Sequence, residues 1–118
     1  MAAPNLKVPT TITGKTAVYA CTASLAAALS NGAASGKVLK INNIRAANVT
    51  TAAGTIEITL YRSSTHYELI KTAQVPVNSA FVVLNREEYL YLEEGDAIYA
   101  KANATSTLDL IIAYEEIV

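Results

Sequence analysis

Residues 89–118 read YLYLEEGDAIYAKANATSTLDLIIAYEEIV, and the fold is decided in this stretch. Residues 89–92 alternate aromatic and aliphatic side chains, Glu93, Glu94, Gly95 and Asp96 interrupt them, and residues 97–102 resume the alternation; this pattern predicts a β-hairpin. Gly95 can take the positive φ that a tight reversal needs, and Asp96 can hydrogen-bond its own backbone to close the turn. After a second polar break over residues 103–107, Leu108, Leu110, Ile112 and Tyr114 recur at every second position, so one face of a last strand points into a core. The opposite face carries Asp109 and Glu115 but also Ile111 and Ala113, where a wet face would be polar throughout. Either the strand is central and both faces are covered within one subunit, or a second subunit or a lattice covers the outer one.

Upstream, turn signals recur every ten or so residues, at Asn31-Gly32, Ser35-Gly36, residues 48–54, residues 63–66 and residues 76–79. Between them lie candidate strands at residues 15–22, 37–47, 55–62, 67–73 and 80–85, which with the three C-terminal strands makes about eight. The expectation is an all-β, single-domain antiparallel β-sandwich, jelly-roll-like, over residues 14–118. In residues 55–62 the polarity is clear: Ile56, Ile58 and Leu60 face one way, Glu57, Thr59 and Tyr61 the other. In residues 37–47 the phase slips, with Leu39 and Ile41 odd and Ile44 and Ala46 even, which a bulge near Asn42-Asn43 reconciles. Residues 23–29 are rich in Ala and Leu but short for a helix, and read as a strand end or a single turn. Residues 1–13, with Pro4, Pro9 and several threonines, have no periodicity and read as an extended N-terminal arm.

Composition removes whole classes of partner. In 118 residues, nine basic and ten acidic side chains leave a formal charge of -1, with no basic footprint for nucleic acid or an anionic membrane. No run approaches the length of a membrane span, and residues 23–29 are too short and lack the charged start of a signal peptide, so the chain is expected to be intracellular when made. Apolar residues make up 52% of the chain, inflated by alanine, which is a modest argument for oligomerisation in so small a domain.

Catalytic furniture is sparse, and no enzymatic activity is expected. The single histidine, His66, sits in a polar turn with no triad partner at a telling spacing and reads as a solvated loop residue. Cys21 interrupts an alternating stretch and reads as a small buried hydrophobe; one Cys and one distant His make no metal cluster, and no cofactor is expected. Glu87-Glu88 and Glu93-Glu94 are adjacent pairs that point to opposite faces of a strand, so they read as a solvated rim and not a catalytic dyad. Residues 32–37, GAASGK, resemble a phosphate loop only faintly, being one residue short and lacking the Ser or Thr that would hold magnesium. Asn48 and Asn103 head glycosylation sequons that carry little weight without a secretory signal. Seven tyrosines with no tryptophan are the better lead. Tyr61, Tyr89, Tyr91 and Tyr99 fall opposite aliphatic positions or near strand edges, which suits an interface, cross-strand pairing on a wet face, or stacking on sugars.

The stretch TTITGKTAVYACTASLAAALSNGAASGKVLKINNIRAANV at residues 10–49, TIEITLYR at 55–62 and YLYLEEGDAIYAKANATSTLDLIIAYEEI at 89–117 resemble small virion structural proteins of tailed bacteriophages, cyanophages in particular. The resemblance runs over nearly the whole chain from Thr10, through the Gly-Lys before residues 38–41, Asn48, the turn at residues 92–96 and the terminal Ala-Tyr-Glu-Glu-Ile. It implies a β-sandwich, often trimeric, that sits on the capsid exterior as a cement or decoration protein, or else at necks, tails and fibres. The expected partners are then the major capsid protein and further copies of the chain in a homotrimer. The expected location is the outside of the virion, after synthesis in the host cytoplasm. Asn5, Leu6, Val8 and Ile12 are the expected arm contacts with the capsid or a neighbour, and Tyr89, Tyr91 and Ile111 the expected intersubunit packing. A carbohydrate-binding host-attachment module is the alternative from a different class. Small polar residues often stand at the outward positions of the last strand in the resembled proteins, and here Ile111 and Ala113 replace them.

Overall fold

The computed structural model describes residues 4–118. Met1, Ala2 and Ala3, the start of the expected arm, lie outside the described residues. Nine strands follow in order: β1 (Ile12–Ala20), β2 (Ala26–Ser30), β3 (Val38–Asn48), β4 (Gly54–Arg62), β5 (Thr65–Val75), β6 (Ala80–Leu84), β7 (Leu90–Leu92), β8 (Ala97–Ala102) and β9 (Leu108–Ile117), with a 3-10 turn at Arg86–Glu88.

The strands form two antiparallel sheets packed as a β-sandwich, ordered β1-β9-β3-β6 and β2-β8-β4-β5, with β7 also paired to β3. β6 and β7 lie along the same edge of β3, separated by the 3-10 turn, and behave as one interrupted strand. Counted that way there are eight strands in the order of a jelly roll, the arrangement that two interleaved Greek keys produce.

Alternation explains the core. Ile41, Ile44, Ile56, Ile58, Ile98, Leu110 and Ile112 are among the fully buried side chains, drawn from the inner faces of both sheets. Leu108, Leu110 and Ile112 point inward as their spacing predicts, with Tyr114 partly buried against the same cluster. β3 keeps Leu39, Ile41, Ile44 and Ala46 all in the core because its register with β9 shifts between Ile41 and Asn43, the bulge the phase slip requires. Cys21 is fully buried, and burial first, with Asp109 nearby second, pushes its thiol up to about 11.

Two expectations need correction, and one open reading is settled. The segment over residues 89–102 is not a hairpin: β7 pairs with β3 in the first sheet, whereas β8 pairs with β2 and β4 in the second. Gly95 does take φ 89° and the reversal is tight, but the turn carries the chain across the sandwich. A turn signature fixes local backbone and leaves open which strand each flank joins. Residues 23–29 divide: residues 23–25 lie outside any strand, and Ala26–Ser30 pairs with β8 through a bulge between Ala27 and Leu29. The ladder between β1 and β9 begins earlier than expected: Ile12 sits opposite Ile117, and Thr10 and Thr11 both donate backbone N–H groups to the carbonyl of Val118.

Candidate functional site

The outer face of the first sheet is where the sequence puts apolar side chains without a covering layer. β9 is central in its sheet, flanked by β1 and β3, yet only its inner face is covered. The register lines up Val18, Ile111, Arg45 and Val82 as one row across β1, β9, β3 and β6. Val18 is 78% exposed, Val82 47% and Ile111 36%, so the row is open to solvent and, Arg45 apart, apolar. One pleat further along lie Ala20, Asp109, Ala47 and Ala80, and on the other side of the row Thr16, Ala113 and Asn43. A shallow depression lined by Val18, Ala20, Asp109 and Ile111 runs between β1 and β9.

The far end of this face is polar and settled within the chain. Gly14, Glu115, Lys40 and Tyr91 form its row. Asn42 Nδ2 donates to Glu115 Oε2 at 2.9 Å, Lys40 Nζ lies 4.5 Å from the Tyr89 ring centre, and the Tyr89 and Tyr91 rings meet edge to face 5.7 Å apart. Tyr89, Tyr91 and Ile111 therefore share one face but not one patch: the tyrosines sit at the polar end and Ile111 in the apolar row. Arg45 and Asp109, by contrast, are exposed and among the described residues make no salt bridge or side-chain hydrogen bond.

The arm residues lie at the β1 end of the molecule. Asn5 Oδ1 accepts the N–H of Lys7 at 3.0 Å, and the carbonyl of Asn5 accepts the N–H of Val8, so residues 5–8 form a turn. Leu6 is 48% exposed, Val8 74% and Ile12 55%, and Ile12 already belongs to β1.

On the second sheet the other two tyrosines form a separate cluster with His66. That histidine is not a loop residue: it lies in β5 opposite Tyr61, its ring centre 4.7 Å from Tyr61 and 4.8 Å from Tyr99, and the two tyrosine rings are 5.0 Å apart. His66 Nδ1 is 2.9 Å from the Thr59 hydroxyl, which is fully buried although Thr59 points outward. The aromatic side chains have closed over it. Local sequence could not show this, because Tyr99 is brought in by β8 pairing beside β4.

The carboxylates have structural work. Glu94 Oε2 accepts the backbone N–H of Gly36 at 2.9 Å, so the chain's own carboxylate takes the donor that a phosphate loop would offer. Asp96 is buried and bound by Arg62, while Glu87 and Glu88 stand on a 3-10 turn capped by Asn85 Oδ1. Glu68 is pushed up, by desolvation first and then by the neighbouring Glu57 carboxyl. Among the described residues, no three His, Cys, Asp or Glu side chains group as metal ligands, and no helix is long and apolar enough to cross a membrane. Asn48 is not a free sequon: its buried Nδ2 donates to the carbonyls of Ala52 and Val75 at 2.8 and 3.0 Å.

No family model matches the sequence, and no curated protein matches it. Among solved structures the chain is similar to one from the work describing Bacillus endospore appendages as a novel family of disulfide-linked pili, with a TM-score of 0.53 and 10% identity over 92% of this chain and 88% of that one. At that identity the likeness shows the fold alone, an all-β sandwich.

Proposed function

We propose that this chain is a structural subunit of a virion, a capsid cement or decoration protein that binds the outside of an assembled phage-type head and stabilises it. The observation that carries the reading is the open row Val18, Ile111 and Val82 on a rigid, jelly-roll face, a surface suited to packing against another protein and not to turning over a substrate. The exposed Leu6 and Val8 precede Thr10, at the opposite end of β1 from Val18, and offer a second, separate contact surface toward a neighbour.

The mechanism is linkage. A protein that binds the assembled shell and not its separated subunits stabilises the shell by RT ln(1 + [L]/Kd), about 2.7 kcal/mol per site at a hundredfold excess over Kd. Copies that also contact each other raise the effective concentration of the next contact. The disulfide linkage described for the similar pili does not carry over, since the one cysteine, Cys21, is fully buried with a thiol raised to about 11.

Gold labelling of particles tests the assignment: label spread over the icosahedral shell supports it, whereas label confined to neck, tail or fibre moves the same fold to that position and ends the cement reading. A second reading, glycan binding, rests on the half-buried Tyr61 and Tyr99 with His66. A glycan screen in which Tyr61→Ala and Tyr99→Ala abolish binding would favour host attachment instead.

A further inference from the structure

The two charges on the apolar half of the first sheet's outer face are the feature that the fold leaves unexplained. Arg45 lies beside Ile111 as its cross-strand partner, and Asp109 lies two residues before Ile111 on the same strand and face. Neither charge has an ion-pair or hydrogen-bonding partner among the described residues, although Glu115, Lys15, Glu116, Arg62 and Asp96 all do. Charges placed in the middle of an alanine, valine and isoleucine surface lower its affinity for any apolar partner unless that partner returns the opposite charges.

We infer that the occupant of this face is a second copy of the same chain, docked by a two-fold axis that sets Arg45 of each copy against Asp109 of the other. The patch is self-complementary: one cation and one anion, net charge zero. A two-fold axis lying in the contact plane and bisecting the line from Arg45 to Asp109 exchanges the two positions, so both pairs form together. Ile111 is about 4.8 Å across the sheet from Arg45 and about 6.8 Å along the strand from Asp109, nearly equidistant, and so lies close to that axis. It meets its own counterpart, with Val18 flanking it. This deepens the assembly reading by naming one contact between copies, and it replaces the three-fold contact that the family resemblance implies.

Four strands about 4.8 Å apart and three pleats about 6.8 Å long make a face of roughly 400 Å² per copy. That is about half the 800 Å² per partner of a standard interface, so the dimer is weak and concentration-dependent in solution. Sedimentation of the full chain from about 10 μM to about 1 mM is the test, and it requires no shell. The expected result is a monomer-dimer equilibrium whose Kd rises about tenfold or more in R45D and in D109R, with the dimer restored in the R45D/D109R double variant. An equimolar mixture of the two single variants is expected to form a heterodimer, because each then supplies the charge the other lacks. R45D changes an exposed side chain, so it remains informative even where D109R, near buried Cys21, fails to fold. A chain that stays monomeric throughout, a trimer, or single reversals that leave association unchanged would each overturn the inference. The dimer takes up the same row that the assembly reading rests on, so a dimer reassigns that row to the contact between copies, and shell binding is measured separately by cosedimentation with heads.

Discussion

The guanidinium of Arg62, at the end of β4, forks onto the buried carboxylate of Asp96: Nε donates to Oδ1 at 2.9 Å and Nη2 to Oδ2 at 2.5 Å. Asp96 Oδ2 also accepts the N–H of Glu93 at 2.8 Å, and Nη2 reaches Glu93 Oε2. The turn that crosses from one sheet to the other is thereby tied to a strand 34 residues away. Asp96→Asn weakens the charged fork and is expected to lower stability by about 1.5–3 kcal/mol in urea unfolding. Arg62→Lys should not preserve full stability, since an ammonium cannot make both bonds in one plane.

Asn48 anchors the other end of the sandwich. Its Nδ2 holds Ala52 and Val75, while its Oδ1 accepts from the N–H and the hydroxyl of Thr50 at 2.9 and 2.8 Å. Asn48→Ala leaves the buried Val75 carbonyl without its donor and is expected to cost about 1–3 kcal/mol. Asn48→Asp should be no better, because a carboxylate would face the two carbonyls. Thermal melts of both variants check this.

His66 is expected to stabilise the fold through contact and not catalysis. His66→Ala removes the hydroxyl's partner at Thr59 and the ring that packs against both Tyr61 and Tyr99, for a loss of about 1–2 kcal/mol. The double variant T59V/H66A should lose less than the sum of the single changes, since it leaves no orphaned hydroxyl. Equal or larger loss would mean that the two side chains do not act as a unit.

Glu116 gives the fold a defined acid response. Burial works to raise its pKa, but hydrogen bonds and attraction from Lys15 and Lys37, at 3.3 and 3.4 Å, lower it below 4.5. A carboxylate depressed in the folded state contributes stability above its unfolded pKa, and that contribution is lost as pH falls through the folded one. Glu116→Gln should therefore lower stability at neutral pH by up to about 1 kcal/mol and flatten the acid limb below pH 4.5. A variant whose loss is the same at neutral pH and at pH 3 would contradict this.

The arm can be tested without cutting a strand. Because Thr10 and Thr11 already bond to Val118, deletion should remove residues 1–9 only. The shortened chain is expected to fold and to bind shells more weakly, as judged by cosedimentation. Unchanged binding would show that Asn5, Leu6 and Val8 touch no partner.

What the sequence made legible follows from what alternation encodes. β8 matches residues 97–102 end for end, and the bulge in β3 was readable because it left a phase slip in the apolar residues themselves. The outward Ile111 was equally plain, as an apolar residue at a position that alternation reserves for polar ones. Pairing was not legible. The turn at residues 93–96 looks the same whether its flanks join one sheet or two, and Arg62 carries no local mark of its bond to Asp96. His66 lay among Ser and Thr, so its neighbourhood read as a loop, and only the register of β4 with β5 and β8 brought it against two tyrosines. Tyr61, Tyr89, Tyr91 and Tyr99 likewise looked like one group and divide between the outer faces of the two sheets.

The central claim is that this chain binds an assembled shell from outside and stabilises it. Cosedimentation of the protein with assembled phage heads, and in parallel with the disassembled capsid protein, tests it most directly. Saturable binding to heads alone, with a rise in the temperature at which they come apart, is the predicted result. Binding to the separated subunits as strongly as to heads, or heads that bind none, would contradict it.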